Sequence, residues 1–344
     1  MAIEIIAAGR AVPPRRVTNN DLAEKLDTSD EWIRSHTGIG ARHIVDDGIA
    51  VSDLALEAAW NTLTLAVEER LVPETTAEDL AKTLDIIVLG TSSPDYHVCP
   101  ATACIVQDKL GASRAGALDI GAGCSGFIYG LETAAGLLEL HDRRKRALVL
   151  GAETLSRFVD WNDRSLCILF GDGAGAVLIE KTCAPRAGPG KRGLLRTILG
   201  SDGSGAEYLI VRKGGSRNPY RTGDPVEKAP CIEMNGRAVY NFAVKKVVEI
   251  IEQFLSEENI TMEDIARIVP HQANARIIQA AAKRLGIPEE KFFINIEEYA
   301  NTSSASIPIA LHELNRNGGL RRGDLILIVG FGAGLTYGGS LIVW

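Results

Sequence analysis

The sequence predicts an α/β protein built from two similar βαβ-rich halves, and three observations predict it. Continuous apolar runs such as Leu84-Asp-Ile-Ile-Val-Leu-Gly90 and Ala147-Leu-Val-Leu-Gly151 read as parallel strands buried on both faces. Between them lie stretches with helical spacing of apolar residues, as over Val51 to Val67. The order of segments then recurs. Asp85–Gly90 with the helix Ile105–Gly111 is echoed by Ile265–Pro270 with the helix Ile277–Gly286. Leu118–Cys124 is echoed by Phe293–Asn301, and Phe170-Gly-Asp-Gly-Ala-Gly by Phe331-Gly-Ala-Gly-Leu-Thr-Tyr-Gly. Three matches in one order indicate a duplicated unit, with residues 1–182 forming one half and 183–344 the other.

Taken in order, Ile3 to Ala8 is a first strand, closed by a Pro13-Pro14 turn and followed by a helix opened at Thr18-Asn-Asn-Asp21. A second helix starts at Thr28-Ser-Asp-Glu-Trp32, and the polar, glycine-punctuated segment from Ser35 to His43 reads as an exposed loop. After the strand at 84–90, a loop from Thr91 to Pro100 leads to a helix ending near Gly111. The basic run His141–Arg146 reads as a solvated helix end. Ile168 to Ile179 reads as a glycine-rich hairpin or strand pair. Its Gly-x-Gly-x-Gly spacing is no dinucleotide fingerprint, because no helix pattern follows it. Residues from about 183 to 228, rich in Gly, Pro, Arg and Lys, form the join.

Composition bounds the function. A chain of 344 residues with 46% hydrophobic content buries a large core, and its net charge of −7 argues against a general nucleic-acid or membrane-surface binder. The six cysteines show neither a C-x-x-C pair nor zinc-type spacing, so a reducing cytoplasm and no metal are expected. The amino-terminal apolar run lacks a preceding basic region and reads as a strand rather than a signal peptide.

Chemistry concentrates at Ala117-Leu-Asp-Ile-Gly-Ala-Gly-Cys124-Ser-Gly-Phe, where a strand turns through small residues into a helix. A sulfur at such an elbow lies near unpaired N–H groups and the positive end of the helix dipole, which favour the thiolate. The same position also suits a small buried hydrophobe. His271, expected to begin a helix, and Asn301 stand at strand ends of the second half that correspond to the Cys124 strand end, so the duplication predicts that the three meet. A thiol, an imidazole and an amide also form the set used by cysteine hydrolases, so residue types alone leave the reaction open.

Seven motifs in one order supply more. Thr28-Ser-Asp-Glu-Trp-Ile with Thr37-Gly-Ile, Gly123-Cys124-Ser-Gly-Phe, Phe170-Gly-Asp-Gly-Ala-Gly-Ala, Met234-Asn-Gly-Arg, His271-Gln-Ala-Asn, Asn301-Thr-Ser-Ser-Ala-Ser and Phe331-Gly-Ala-Gly resemble those of class III β-ketoacyl-acyl-carrier-protein synthases. These are the initiating condensing enzymes of type II fatty-acid synthesis. The resemblance implies a thiolase-like fold in αβαβα layers and an acyl-Cys124 intermediate formed from an acyl-CoA, acetyl-CoA in the first instance. It also implies a carbanion from decarboxylated malonyl-acyl-carrier protein that attacks the acyl group. CoA thioesters and the carrier's phosphopantetheine are then substrates, and no cofactor is expected.

By the same resemblance, His271 and Asn301 stabilise the malonyl thioester oxygen, while the backbone N–H groups of Cys124 and Ala333 receive the acyl carbonyl. Relatives often carry glycine at the position of Ala333. Trp32 and Arg164 flank the CoA adenine and Asn274 bonds the pantetheine arm; His36 stands where many relatives have arginine. Arg276, Lys283 and Arg284 on one helix receive the acidic carrier protein. Cys99 closes the end of the partner's acyl pocket across a homodimer interface, and its small side chain implies tolerance of longer or branched primers. Two other readings remain open here: a ketosynthase of secondary metabolism with an unusual acyl or aroyl group, and a non-catalytic chain-length partner.

Overall fold

The computed structural model describes every residue except 186, 187, 189 and 222–229, so the end of the expected join lies outside the described residues. The first half opens with β1 (Ala2–Ala11), β2 (Arg16–Thr18), α1 (Asn19–Ala23), α2 (Asp30–Thr37) and β3 (Ala41–His43). Both early helices start where the sequence supplies a cap. Thr18 and Asp21 exchange hydrogen bonds in a capping box, and Ser29 Oγ accepts from Trp32 N–H. There follow α3 (Val51–Glu68), α4 (Ala77–Ala81), β4 (Ile86–Gly90), α5 (Thr102–Lys109), β5 (Gly116–Ile120), α6 (Gly126–Glu139), β6 (Arg146–Thr154) and β7 (Asp172–Thr182).

The second half contains β8 (Gly193–Ser201), the short pair β9 (Leu209–Val211) and β10 (Ile232–Met234), then α7 (Gly236–Glu257) and β11 (Arg267–Pro270). It closes with α8 (Ala275–Leu285), α9 (Ile296–Tyr299), α10 (Ser306–Arg316), β12 (Leu325–Gly332) and β13 (Thr336–Val343). One sheet runs β1-β7-β6-β4-β5 and another β8-β13-β12-β11. In the first, β4 is parallel to β5 and β6, and β7 is antiparallel to β6 and β1; in the second, β11 is parallel to β12, and β13 is antiparallel to β12 and β8. A parallel bridge from Ile268 to Phe292 stands where β5 stands in the first sheet. The duplication read from sequence is therefore a duplication of topology.

Helices α6 and α10 pack on strands of both sheets, while α3 and α5 cover the outer face of one sheet and α7 and α8 the outer face of the other. The result is the expected αβαβα stack. Its central layer is apolar on all sides: Phe127, Leu131 and Leu311, each 0% exposed, join Val88, Val177 and Ile328 in one cluster. Truncating such a fully enclosed Phe127 to alanine costs about 3–5 kcal/mol in comparable cores.

Five local expectations are corrected. The segment after α2 is buried rather than exposed, because Arg42 is enclosed and its guanidinium donates to Asn19 Oδ1 and the Ile168 carbonyl. The glycine-rich motif forms the single strand β7; a Cβ at Gly175 would come within 2.7 Å of Ile309 N, so its glycines admit α10 rather than a ligand. His271 follows β11 and precedes α8, whose cap is Asn274, so it does not begin the helix. Arg146 is buried in ion pairs with Glu74 and Glu180 rather than solvated. Phe170 comes two residues before β7 and Phe331, at the end of β12, five residues before the counterpart strand β13, so the third repeat match is offset by about three residues.

Candidate active site

Cys124 sits in a 3-10 turn, Gly123–Ser125, that leads into α6. The matching turn of the second half, Ser303–Ala305, leads into α10, and the two turns touch where the halves meet. This is the physical content of the predicted meeting. Cys124 lines two cavities. One, of about 220 Å³, also takes in His271, Asn274, Asn301, Phe170 and Phe331. The other, of about 250 Å³, is walled by Leu155, Phe158, Phe170, Leu209, Val211 and Ile232, with Ser92, Ser303 and Ala333 near the cysteine. Both are lined mainly by apolar residues and share the sulfur as part of their common wall, and the first also holds His271, Asn274 and Asn301. A larger groove of about 610 Å³, lined by Arg15, Arg157 and Trp161, includes none of these three residues.

The backbone around the sulfur is set by glycine. Gly123 has a φ of +54°, and a Cβ there would come within 2.6 Å of Ala333 N; one at Gly332 would collide with Cys124 N. The Cys124 and Ala333 amides are brought side by side in this way. Ala333 keeps a negative φ, a conformation alanine adopts freely, so its replacement of glycine leaves the N–H in place.

The thiolate expected at the elbow is not favoured in the folded chain. Burial pushes the Cys124 thiol up to about 12, the hydrogen bond from Ser303 opposes that rise, and the nearby Glu153 adds to it. Desolvation outweighs the helix terminus because the sulfur is only 8% exposed and the turn points into the core.

His271 is also enclosed, and burial drives its pKa down to about 3, so the ring is neutral. Its Nδ1 lies 2.7 Å from Ser306 Oγ, which itself accepts from Gln272 N–H at 3.3 Å. With Ser306 donating to Nδ1, the ring proton sits on Nε2. Phe331 packs edge-on against the imidazole at 5.3 Å and fixes its plane. Asn301 is oriented by its own turn: Oδ1 accepts from Ser303 N–H at 2.8 Å, which leaves the Nδ2 hydrogens as free donors. Ala300 and Ser303 hold φ values of +55° and +50°, strained for residues with a side chain, and such strain gathers at functional sites.

Trp32, half-buried on α2, stacks on His36 at 4.4 Å and carries the Arg164 guanidinium 5.3 Å from its ring. Arg164 is tied to the Asp27 carbonyl. Asn274 accepts from Arg276 N–H and donates to the His36 carbonyl, leaving one amide hydrogen for a ligand. Arg276, Lys283 and Arg284 are exposed on α8 and form no ion pair among the described residues. Cys99 is exposed and lines neither Cys124 cavity.

Three residues escaped the sequence reading. Ser306 and Ser303 sit in the serine run after Asn301, to which the sequence reading assigned no role of its own. Glu153, at the end of the apolar strand β6, is fully buried and accepts from Ser92 N–H, Ser93 Oγ, Ser303 Oγ and Ser304 Oγ. An acidic residue ending such a run was the available signal.

Family models described as 3-oxoacyl-[acyl-carrier-protein (ACP)] synthase III match residues 118–203, and their C-terminal counterpart matches 255–344. The chain is 43% identical over 344 residues to the beta-ketoacyl-[acyl-carrier-protein] synthase III of Clostridium acetobutylicum, covering 100% of this chain and 99% of the relative. The crystal structure of 3-oxoacyl-[acyl-carrier-protein] synthase III from Aquifex aeolicus superposes with a TM-score of 0.85 at 39% identity over 100% of both chains. The priming β-ketosynthase of the R1128 polyketide pathway superposes with a TM-score of 0.86 at 32% identity, covering 99% of this chain and 96% of that one.

Proposed function

Because the chain belongs to the 3-oxoacyl-[acyl-carrier-protein] synthase III family, we propose a division of labour among its residues for the family's reaction. The enzyme condenses an acyl-CoA primer with malonyl-acyl-carrier protein, initiating fatty-acid synthesis. Cys124 takes the acyl group from CoA, and the Cys124 and Ala333 N–H groups receive the carbonyl oxygen as it gains charge. The acyl chain then lies in the cavity walled by Leu155, Phe158 and Val211 while the malonyl thioester enters the one that holds His271 and Asn301. As CO2 departs, charge builds on the thioester oxygen, and His271 Nε2–H and Asn301 Nδ2–H are the neutral donors that meet it. A neutral imidazole suits this step, since it donates without having to lose a proton. The carbanion attacks the acyl-Cys124 carbonyl, and the cysteine leaves.

The observation that carries this reading is the placing of Cys124 on both cavities, one walled by hydrocarbon and one holding two oriented donors. Trp32, Arg164 and Asn274 hold the CoA adenine and pantetheine, and α8 receives the carrier protein through Arg276, Lys283 and Arg284. The working unit is a homodimer in the cytoplasm. In its support, β5 is an edge strand of its sheet, and the loop after β4 exposes Tyr96 and Val98, which are 58% and 91% exposed. No helix among the described residues is long and apolar enough to cross a membrane.

The experiment is incubation with a panel of acyl-CoAs and malonyl-acyl-carrier protein, with products identified by mass. A 3-ketoacyl-carrier product, and an acyl adduct on Cys124 that is lost in Cys124→Ala, support the reading. Products only from an unusual acyl or aroyl donor would favour secondary metabolism, and no adduct at all a non-catalytic partner.

A further inference from the structure

One wall of the cavity given to the acyl chain is tied down from behind. The last residues of β6 lie near the sulfur: Glu153 accepts from Ser303 Oγ at 3.0 Å, and Ser303 lines the cavity with Cys124. From there the chain runs on as a four-residue 3-10 turn, Leu155–Phe158. Residues three apart in such a turn eclipse one another, so Leu155 and Phe158 present to the same side, and both line the cavity. At a rise of about 2 Å per residue, Phe158 stands roughly 6 Å beyond Leu155, the reach of a short alkyl chain. Its ring meets that of His97 edge-on at 6.4 Å, and His97 is exposed on the loop after β4. Phe158 thus closes the end of the cavity away from the sulfur.

The other side of the turn is anchored along its length. Ser156 donates to Asp172 through its N–H at 2.9 Å and through its hydroxyl at 2.6 Å. The Trp161 indole donates to the Ser156 carbonyl at 3.2 Å, and Arg157 donates to the Asp46 carbonyl and the Asp47 carboxylate. Asp172 is itself fixed, since it opens β7, is 0% exposed and also accepts from Val45 N–H at 2.9 Å. Its hold on Ser156 does not depend on its charge, because Ser156 Oγ can donate to Oδ2 or accept from it. A wall held in this way gives ground to a longer chain only by breaking these bonds.

We propose that Phe158 sets the upper length of the acyl primer within each subunit, with Asp172 as the positioning residue that keeps its ring in place. Straight-chain acyl groups fit until their terminal carbons meet the ring. Beyond that length each further methylene must displace the anchored turn. Leu155 and Ile232 shape the sides of the cavity, whereas Phe158 decides its depth.

The inference rests on the condensing reading, and one set of assays separates the two. kcat/KM is measured with malonyl-acyl-carrier protein and even-numbered primers from acetyl-CoA to decanoyl-CoA. Each value is divided by that for acetyl-CoA, so that loss of active enzyme cancels. In the parent the ratio should fall steeply past one length. Phe158→Ala should raise it about tenfold or more for primers past that length, as a methylene finds room. Phe158→Leu should raise it less, and Phe158→Trp should lower it. Asp172→Asn keeps the side chain's size but turns an NH2 toward one of the two N–H groups that Asp172 receives, and should raise the ratio about threefold as the wall yields more readily. Ser156→Ala, which removes only the hydroxyl, repeats that test without altering the buried strand. Added to Phe158→Ala, either change should move the ratio no further, since no ring is left to place. A parent ratio level across the series, Phe158 variants with the parent's profile, or Asp172 and Ser156 variants that scale all primers alike overturn the proposal. A parent enzyme that releases no CoA from any primer overturns the condensing reading and the proposal with it.

Discussion

Replacing Asn301 by aspartate removes one donor and, while the carboxyl is ionised, sets a negative charge in its place, so the loss worked out below for the donor is a lower bound. The Asn301 Oδ1 accepts from Ser303 N–H at 2.8 Å, and an aspartate oxygen can accept the same bond, so the strained turn stays pinned. What is lost is Nδ2, and with it one of the two donors facing the malonyl thioester oxygen. Removal of one such donor costs about 2.7–4 kcal/mol, or roughly 10²–10³ in rate. Alanine removes the acceptor as well, leaving a buried N–H unpaired at a further cost of about 1–3 kcal/mol in stability. The assay is release of labelled CO2 from malonyl-acyl-carrier protein, run beside release of CoA from acetyl-CoA. Asn301→Asp should lose decarboxylation by at least the stated factor and keep acylation within about threefold, a margin well under the donor's worth. Some decarboxylation should return at acid pH, where a protonated aspartate donates again. Equal losses in both half-reactions would refute the assignment of Asn301 to the malonyl step.

Three further outcomes follow from the same geometry. The buried His271 ring, with its pKa near 3 against about 6.5 unfolded, binds fewer protons folded than unfolded between those values. Its contribution is therefore complete above pH 6.5 and lost as pH falls below it, and thermal unfolding of His271→Gln should be less acid-sensitive over that window. Reversing Arg276, Lys283 and Arg284 to glutamate should raise KM for malonyl-acyl-carrier protein at least tenfold and flatten its salt dependence, with KM for acetyl-CoA unchanged in steady-state assays. Filling position 99 with phenylalanine should cut kcat/KM for primers longer than butyryl-CoA by about tenfold or more, while acetyl-CoA turns over as before. Equal loss for all primers would show that Cys99 does not bound the acyl pocket.

Much of the site was legible because it stands on repeating structure. Cys124 lies between an apolar strand and an apolar helix, and Asn301 comes just before the matching turn of the second half, so the repeat placed these two together; His271 follows β11, the counterpart of β4, and lines the same cavity because that neighbouring strand ends beside it. Segments whose role depends on what covers them were misread. Ser35 to His43 is polar and glycine-rich like a surface loop, yet Arg42 within it is enclosed because Asn19 and the Ile168 carbonyl, from distant parts of the chain, satisfy its guanidinium. Arg146 was misread for the same reason, its partners Glu74 and Glu180 lying 72 and 34 residues away.

The sequence by itself determined the two-fold repeat, the strand and helix order and which cysteine stands at a strand-to-helix elbow, since these follow from local patterning and from motifs short enough to read along the chain. Tertiary structure alone decided the electrostatics. Whether Cys124 is thiol or thiolate, which nitrogen of His271 holds the proton and what Glu153 faces all depend on desolvation and on serines that the fold brings up from elsewhere in the chain. Those are properties of enclosure in three dimensions, where the cost of a charge is set by everything around it rather than by its neighbours in sequence.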